Sequence, residues 1–188
     1  MRLIGRETEL LQLERFYASD KAEFLAIYGR RRVGKSFLIQ AFYSKKSAVN
    51  FHVTGLKDGK LSEQIEVFTR VIGKTFYNGA ELKNESKWLD VFEQLTRAIE
   101  KVAKNKKIIL FFDELPWMAT KKSKIIQALD HYWNRYWSTD PRIKLIACGS
   151  AASWIIENLI HNKGGLYNRI THQIELMPLT LCESKKFL

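Results

Sequence analysis

A chain of 188 residues, 46% of them hydrophobic, is long enough to bury one sizeable core. No apolar run approaches the roughly 20 residues of a bilayer-spanning helix, and the opening Met1-Arg2-Leu3-Ile4-Gly5-Arg6-Glu7 is charged too early for a secretory signal, so the expectation is a cytoplasmic protein with no membrane partner. The net charge of +11 and pI of about 9.6 raise nucleic acid as a partner, yet the lysines are spread along the chain, and a solvated basic surface explains them as well.

Arg6–Tyr17 reads as a helix with Leu10, Leu13 and Tyr17 on one face. Phe24–Tyr28 is a short apolar run, expected to be a buried strand. Directly after it, Gly29-Arg30-Arg31-Arg32-Val33-Gly34-Lys35-Ser36 fits G-x-x-x-x-G-K-[ST], the phosphate-binding loop, at every fixed position. Phe37 continues into the apolar start of a helix. The chemistry needs these residue types. Glycine lets the backbone turn its N–H groups inward, and the positive helix end attracts an anion. Lys35 can reach β- and γ-phosphates, and the Ser36 hydroxyl can bind Mg²⁺. Gly29, Arg30, Arg31, Arg32, Val33, Gly34, Lys35, Ser36 and Phe37 are therefore the expected nucleotide cradle.

Ala48–Val53 alternates Val49, Phe51 and Val53 inward with Asn50 and His52 outward, as a strand does. Thr54–Lys60 reads as a loop. Leu61, Ile65, Phe68 and Ile72 recur at helical spacing, and Gly73–Lys87 is a polar stretch with an Asn78-Gly79 turn signal. Trp88, Phe92, Leu95, Ile99 and Val102 mark another helix. Ile108–Phe112 is a continuous apolar run, as expected of a central parallel strand.

That strand ends in Asp113-Glu114. A carboxylate at a strand end beside a phosphate loop can anchor Mg²⁺, which is the role expected of Asp113. The next carboxylate, Glu114, can polarise an attacking water. Ser123 is the expected cap of a helix striped by Ile126, Leu129, Trp133 and Trp137 and closed by Pro141. The aromatic run 131–137 offers a base-stacking surface, but at helical spacing it reads as packing. Ile143–Cys148 is a fourth strand. Ser150, just past it, either caps the helix Ala151–Ile160 or reaches the γ-phosphate as a sensor. His161–Asn168 is a loop, and Ile170, Ile174 and Leu176 alternate as a fifth strand. The chain runs on into a further helix.

Strands alternating with helices imply an α/β fold with a parallel sheet covered on both faces. Cys148 and Cys182 are far apart and read as reduced thiols. The four histidines show no metal-ligand spacing with them. No Asn-Lys-x-Asp guanine-reading motif occurs, which argues against a GTPase.

Several stretches together resemble the archaeal-type ATPases of the AAA+/STAND group. They are 3–10 (Leu3-Ile4-Gly5-Arg6-Glu7-Thr8-Glu9-Leu10), 28–36 with its triple arginine, 112–117, Cys148-Gly149-Ser150-Ala151, and Gly165-Leu166-Tyr167-Asn168-Arg169. The resemblance implies a three-layer phosphate-loop NTPase of the additional-strand type, with five parallel strands in the order 5-1-4-3-2. It implies that Ile4 and Gly5 lie against adenine and that Arg30–Arg32 belong to the loop pattern. It also suggests Arg169 as a phosphate-sensing or neighbour-reaching arginine, although Asn168 stands where relatives carry Gly.

Relatives continue into a helical lid and further domains, so residues 1–188 are expected to be an ATPase core, a fragment that binds ATP weakly on its own. The implied function is an Mg²⁺-dependent ATP-binding and ATP-hydrolysing core acting as a conformational switch or motor. In it Lys35, Glu114 and Ser150 are catalytic, Ser36 and Asp113 hold Mg²⁺, and ATP and ADP are the ligands. A homo-oligomer or a protein partner is also expected. The rival readings are a regulatory module with negligible turnover and a DNA-associated ATPase module.

Overall fold

The computed structural model describes residues 5–120, 122–161 and 164–185; Ile4 and the Cys182 side chain lie outside that description. In chain order the elements are α1 (Glu7–Ala18), β1 (Glu23–Tyr28), α2 (Lys35–Tyr43), β2 (Ala48–Thr54), α3 (Leu61–Phe76), α4 (Trp88–Glu100) and β3 (Lys107–Asp113). There follow α5 (Leu115–Met118), α6 (Ile125–Arg135), β4 (Ile143–Gly149), α7 (Ala152–Ile155), β5 (His172–Glu175) and α8 (Leu181–Ser184). The five strands form one parallel sheet in the order β2-β3-β4-β1-β5, the order that the family resemblance implies.

Two cores sandwich the sheet. On one face, alternate residues of the strands (Phe24, Phe51, Leu110, Phe112, Leu145) pack under α3, α4 and α6. Phe112 sits at the centre of this layer, with ring centroids 5.4 Å from Phe68 and 5.9 Å from Phe92. On the other face Leu25, Ile27, Phe111 and Ile146 meet Leu13 and Phe16 of α1 and Leu38, Ile39 and Phe42 of α2. Because both faces are covered, β3 and β4 are apolar at nearly every position. Each large side chain so buried contributes about 1.5–3 kcal/mol.

Several elements differ from the sequence reading. Helix α3 runs through Gly73 to Phe76, because the loop behind it comes so close that a Cβ on Gly73 would lie 2.2 Å from the Ala80 carbonyl oxygen. Lys124, in the left-handed region at φ 55, occupies the cap of α6, and Ser123 Oγ reaches the Ile125 N–H only at 3.5 Å. The buried face of α6 is Ile125, Ala128, Leu129, Tyr132 and Trp133, with Ile126 half-buried. The helix stops at Arg135, and Trp137 begins a 3₁₀ turn. There its indole N–H donates to Thr96 Oγ1 at 2.9 Å. The stretch after Ser150 is one α-helical turn that widens into a π turn over Ile156–Ile160. His52 is half-buried rather than outward, since the second face of the sheet is also covered.

Candidate functional site

Parallel strands all point their carboxyl ends the same way, so the segments leaving β1, β3 and β4 meet at one edge of the sheet. β4 lies between β1 and β3, with Gly149 paired to Tyr28 and Ala147 to Phe112. Ser150 therefore emerges between the glycine loop and the Asp-Glu corner.

The loop 29–36 turns on two glycines. Gly29 sits at φ 143, where a Cβ would fall 2.3 Å from the Leu176 carbonyl oxygen, and Gly34 sits at φ 93 as the cap of α2. Arg32, between them, is also left-handed at φ 66. Lys35 opens α2 and is buried. Its Nζ donates to the carbonyl oxygens of Gly29 and Arg30, both at 2.9 Å, which places an ammonium inside the loop at the positive end of a helix.

Asp113 ends β3, buried to 5% exposure. Its Oδ2 lies 3.6 Å from His52 Nε2, and Oδ1 is buried with no hydrogen-bond partner among the described residues. Burial pushes this carboxyl up, but the polar neighbours His52, Ser36 and Cys148 outweigh it and hold Asp113 below the ordinary carboxylate value. Burial and then the Asp113 charge push the Cys148 thiol well up.

Glu114 follows in the left-handed region at φ 49, a conformation that costs a non-glycine residue of order 1 kcal/mol or more. The turn aims its carboxylate at the end of β4, where Oε2 accepts both the Ser150 N–H and the Ser150 hydroxyl at 3.0 Å. The short helix α5 begins immediately after, with Pro116 in its first turn. Trp117 on α5 lies beneath the Arg31 guanidinium, 5.6 Å from ring centroid to Cζ. Arg31, Arg32 and Glu114 line an open cavity of about 520 Å³. A cavity of about 550 Å³ at the opposite end of the sheet, beside Trp137 and Asp140, is walled by an Arg142–Asp140 pair that satisfies itself.

The structure thus brings together residues 29–36, Asp113, Glu114 and Ser150. Phe37 is partly exposed on the first turn of α2. Gly5, at φ 67, joins them through its neighbour Arg6, whose Nη2 donates to the Val33 carbonyl at 3.1 Å. Arg169 stands apart. It is exposed just before Thr171, whose N–H donates to the Phe24 carbonyl at the start of β1, the end of the strand remote from the loop.

Sequence reasoning missed His52, whose ring stacks on Phe111 at 4.5 Å and faces Asp113. The signal lay in the strand register, which pairs His52 with Phe111 and Thr54 with Asp113. It also missed Arg6 as a brace of the loop.

Residues 3–188 match the family described as an ATPase domain predominantly from Archaea. An uncharacterised protein of Methanocaldococcus jannaschii is 27% identical over 184 residues, 98% of this chain and 38% of that protein. A second protein of that organism, named as ATP-binding, is 46% identical over 43 residues, 23% of this chain and 73% of its own length. Among solved structures, Cdc6p of Pyrobaculum aerophilum has a TM-score of 0.65 at 16% identity, covering 99% of this chain and 48% of that one. At that identity the likeness is one of fold. This chain spans less than half the length of both the first relative and Cdc6p. Among the described residues no helix is long and apolar enough to cross a membrane. Since the family match runs over nearly its whole length, the chain belongs to the ATPase-domain family found predominantly in Archaea.

Proposed function

We propose that this ATPase core binds Mg²⁺-ATP across the glycine loop and hydrolyses it by direct attack of water, with Glu114 as the base. The observation that carries the reading is Asp113: an acidified, buried carboxylate with one unpartnered oxygen, beside the Ser36 hydroxyl. An unpaired buried oxygen is costly unless something satisfies it. Carboxylate and hydroxyl oxygens suit Mg²⁺, which takes one or two protein ligands and completes its shell with water and phosphate.

Ser36 and Asp113 would hold the cation, which when bound neutralises charge on the β- and γ-phosphate oxygens. The remaining work falls to the chain's own groups. Amides of residues 29–36 face the phosphates. Lys35 exchanges the Gly29 and Arg30 carbonyls for phosphate oxygen. Gly5 walls the adenine. Glu114 leaves Ser150, orients water and takes its proton as the β–γ P–O bond breaks to give ADP and phosphate. Ser150, freed of the carboxylate, then faces the γ-phosphate. The move of Glu114 between Ser150 and water is the element that makes the core a switch.

Calorimetry with Mg²⁺-ATP tests the binding. Lys35→Ala should weaken it at least about 100-fold, and Glu114→Gln should bind normally while turnover falls by about 10²–10⁴-fold. Equal affinity in wild type and Lys35→Ala would remove the reading.

A further inference from the structure

The segment after β5 runs past the start of the glycine loop. The Leu176 N–H donates to the Tyr28 carbonyl at 2.7 Å, and the Leu176 carbonyl fills the space beside Gly29. The chain then enters α8, capped by Thr180. Glu183 folds back on that cap, its Oε2 accepting the Thr180 N–H at 2.8 Å and the Thr180 hydroxyl at 2.9 Å. Its other oxygen does not serve α8. Oε1 accepts the backbone N–H of Arg6 at 3.0 Å, from 177 positions earlier in the chain. The approach is close enough that a Cβ on Gly5 would lie 2.6 Å from Oε1.

Arg6 is itself left-handed at φ 66, and only 6% of it is exposed. Its guanidinium is forked: Nη1 donates to Glu9 Oε1 and Nη2 to the Val33 carbonyl, each at 3.1 Å. Val33 precedes Gly34. In a planar trans peptide the C=O and N–H point opposite ways. A donor that grips the Val33 oxygen from outside therefore turns the Gly34 N–H away from itself and into the loop. The geometry forms a relay from α8 through the Arg6 backbone and guanidinium to one phosphate-facing amide.

We infer that Glu183 is a positioning residue for the phosphate loop, holding the Gly34 amide in its phosphate-binding orientation through Arg6, so that the segment after β5 sets nucleotide affinity. The inference rests on the proposed nucleotide site. The hydrogen bond from the Arg6 N–H, followed by those from Thr180, holds the Glu183 carboxyl down at about 2, so the relay stays closed between pH 5 and 8.

The test is a titration of a fluorescent ADP analogue into wild type, Glu183→Ala, Glu183→Gln, Arg6→Met and Lys35→Ala. Glu183→Ala and Arg6→Met are expected to weaken binding about tenfold, alike at pH 5.5 and pH 8, while kcat at saturating ATP stays within about twofold, since positioning acts on binding. Glu183→Gln keeps an acceptor for the Arg6 N–H and should lose less than about threefold. Hydrogen exchange in Glu183→Ala should speed up in residues 29–36 and not in β3 or β4. Wild-type affinity in Glu183→Ala, with binding lost in Lys35→Ala, overturns the inference and spares the site. Wild-type affinity in Lys35→Ala as well overturns the site itself. If Glu183→Ala does not fold, Arg6→Met, which keeps the apolar stem and removes the donor to the Val33 carbonyl, decides: wild-type affinity there overturns the relay.

Discussion

Lys144 near the start of β4 and Asp113 at the end of β3 are both buried charges, one at each end of the sheet, and their surroundings differ. Lys144 is fully buried, and its Nζ donates to the carbonyls of Ser19 at 2.9 Å, of Lys21, and of Pro141 at 3.5 Å. Lys107 beside it donates to the carbonyls of Tyr17 and Ser19. Arg142 grips Asp140 through two nitrogens and also reaches the Val102 carbonyl at 2.7 Å. These cations tie turns together, and each finds its partners within the chain. At the opposite end Asp113 keeps an oxygen unpartnered among the described residues, Lys35 donates to its own loop, and Arg6, Arg32 and Glu114 are left-handed without being glycine. A fold spends buried charge on structure where partners are complete. It leaves a buried carboxylate oxygen unpaired at the end where we place the nucleotide.

The largest effect that sharpens this contrast comes from Asp113→Asn. Asparagine keeps the shape but removes the anionic ligand, so Mg²⁺-dependent ATP turnover should fall at least about 100-fold. Stability should change by under about 1 kcal/mol, because loss of the His52 contact and the lower cost of burying a neutral amide oppose each other. Turnover titrated against Mg²⁺, beside a urea melt, reads both. Wild-type turnover, or a large loss of stability, would make Asp113 a structural charge like Lys144.

The converse substitution is Lys144→Met, which keeps length and apolar character but leaves the Ser19, Lys21 and Pro141 carbonyls without their donor. Destabilisation by about 2 kcal/mol is expected. Nucleotide affinity should stay within about twofold, since β4 carries this residue at the end remote from the loop. A melt that matches wild type, or a nucleotide affinity that falls with it, would break the division between the two ends.

How much of this was legible beforehand follows from how local each feature is. Ile108–Phe112 announces a central strand because a strand covered on both faces has no polar side to show. The glycine loop and Asp113-Glu114 are contiguous motifs, so their chemistry is written in adjacent letters. The strand order came from the family resemblance, since spacing alone does not say which strands pair. His52 was misjudged because its partner Asp113 comes from the neighbouring strand, and only the register brings them together. The left-handed turn at Glu114 is invisible because glutamate does not advertise it, and α5 was missed with it. Helix α3 passes Gly73 because the 79–80 loop packs on that bare backbone, a tertiary demand stronger than local propensity. The Glu183–Arg6 contact joins residues 177 positions apart, beyond the reach of any motif.

The smallest predicted effect is a pH slope confined to the Lys144 end. Burial, followed by the nearby Lys107 charge, lowers the Lys144 ammonium to about 8, against 10.5 for a free side chain. Between those values the unfolded chain holds the proton and the folded chain does not. The unfolded state then binds more protons, so this group makes stability rise with pH; below about 8 both states are protonated and its slope vanishes. Cys148, pushed well up by burial, and Tyr132, pushed up to about 12, act the other way, because the unfolded chain loses those protons first. The quantity to measure is therefore the stability gap between wild type and Lys144→Met, in which those groups cancel. From pH 8 to 9.5 that gap should widen by about 1.5 kcal/mol. A constant gap for Lys144→Met would mean that the carbonyls at the start of β4 stabilise the ammonium as well as water does, and the lower end of the sheet would carry no buried charge penalty.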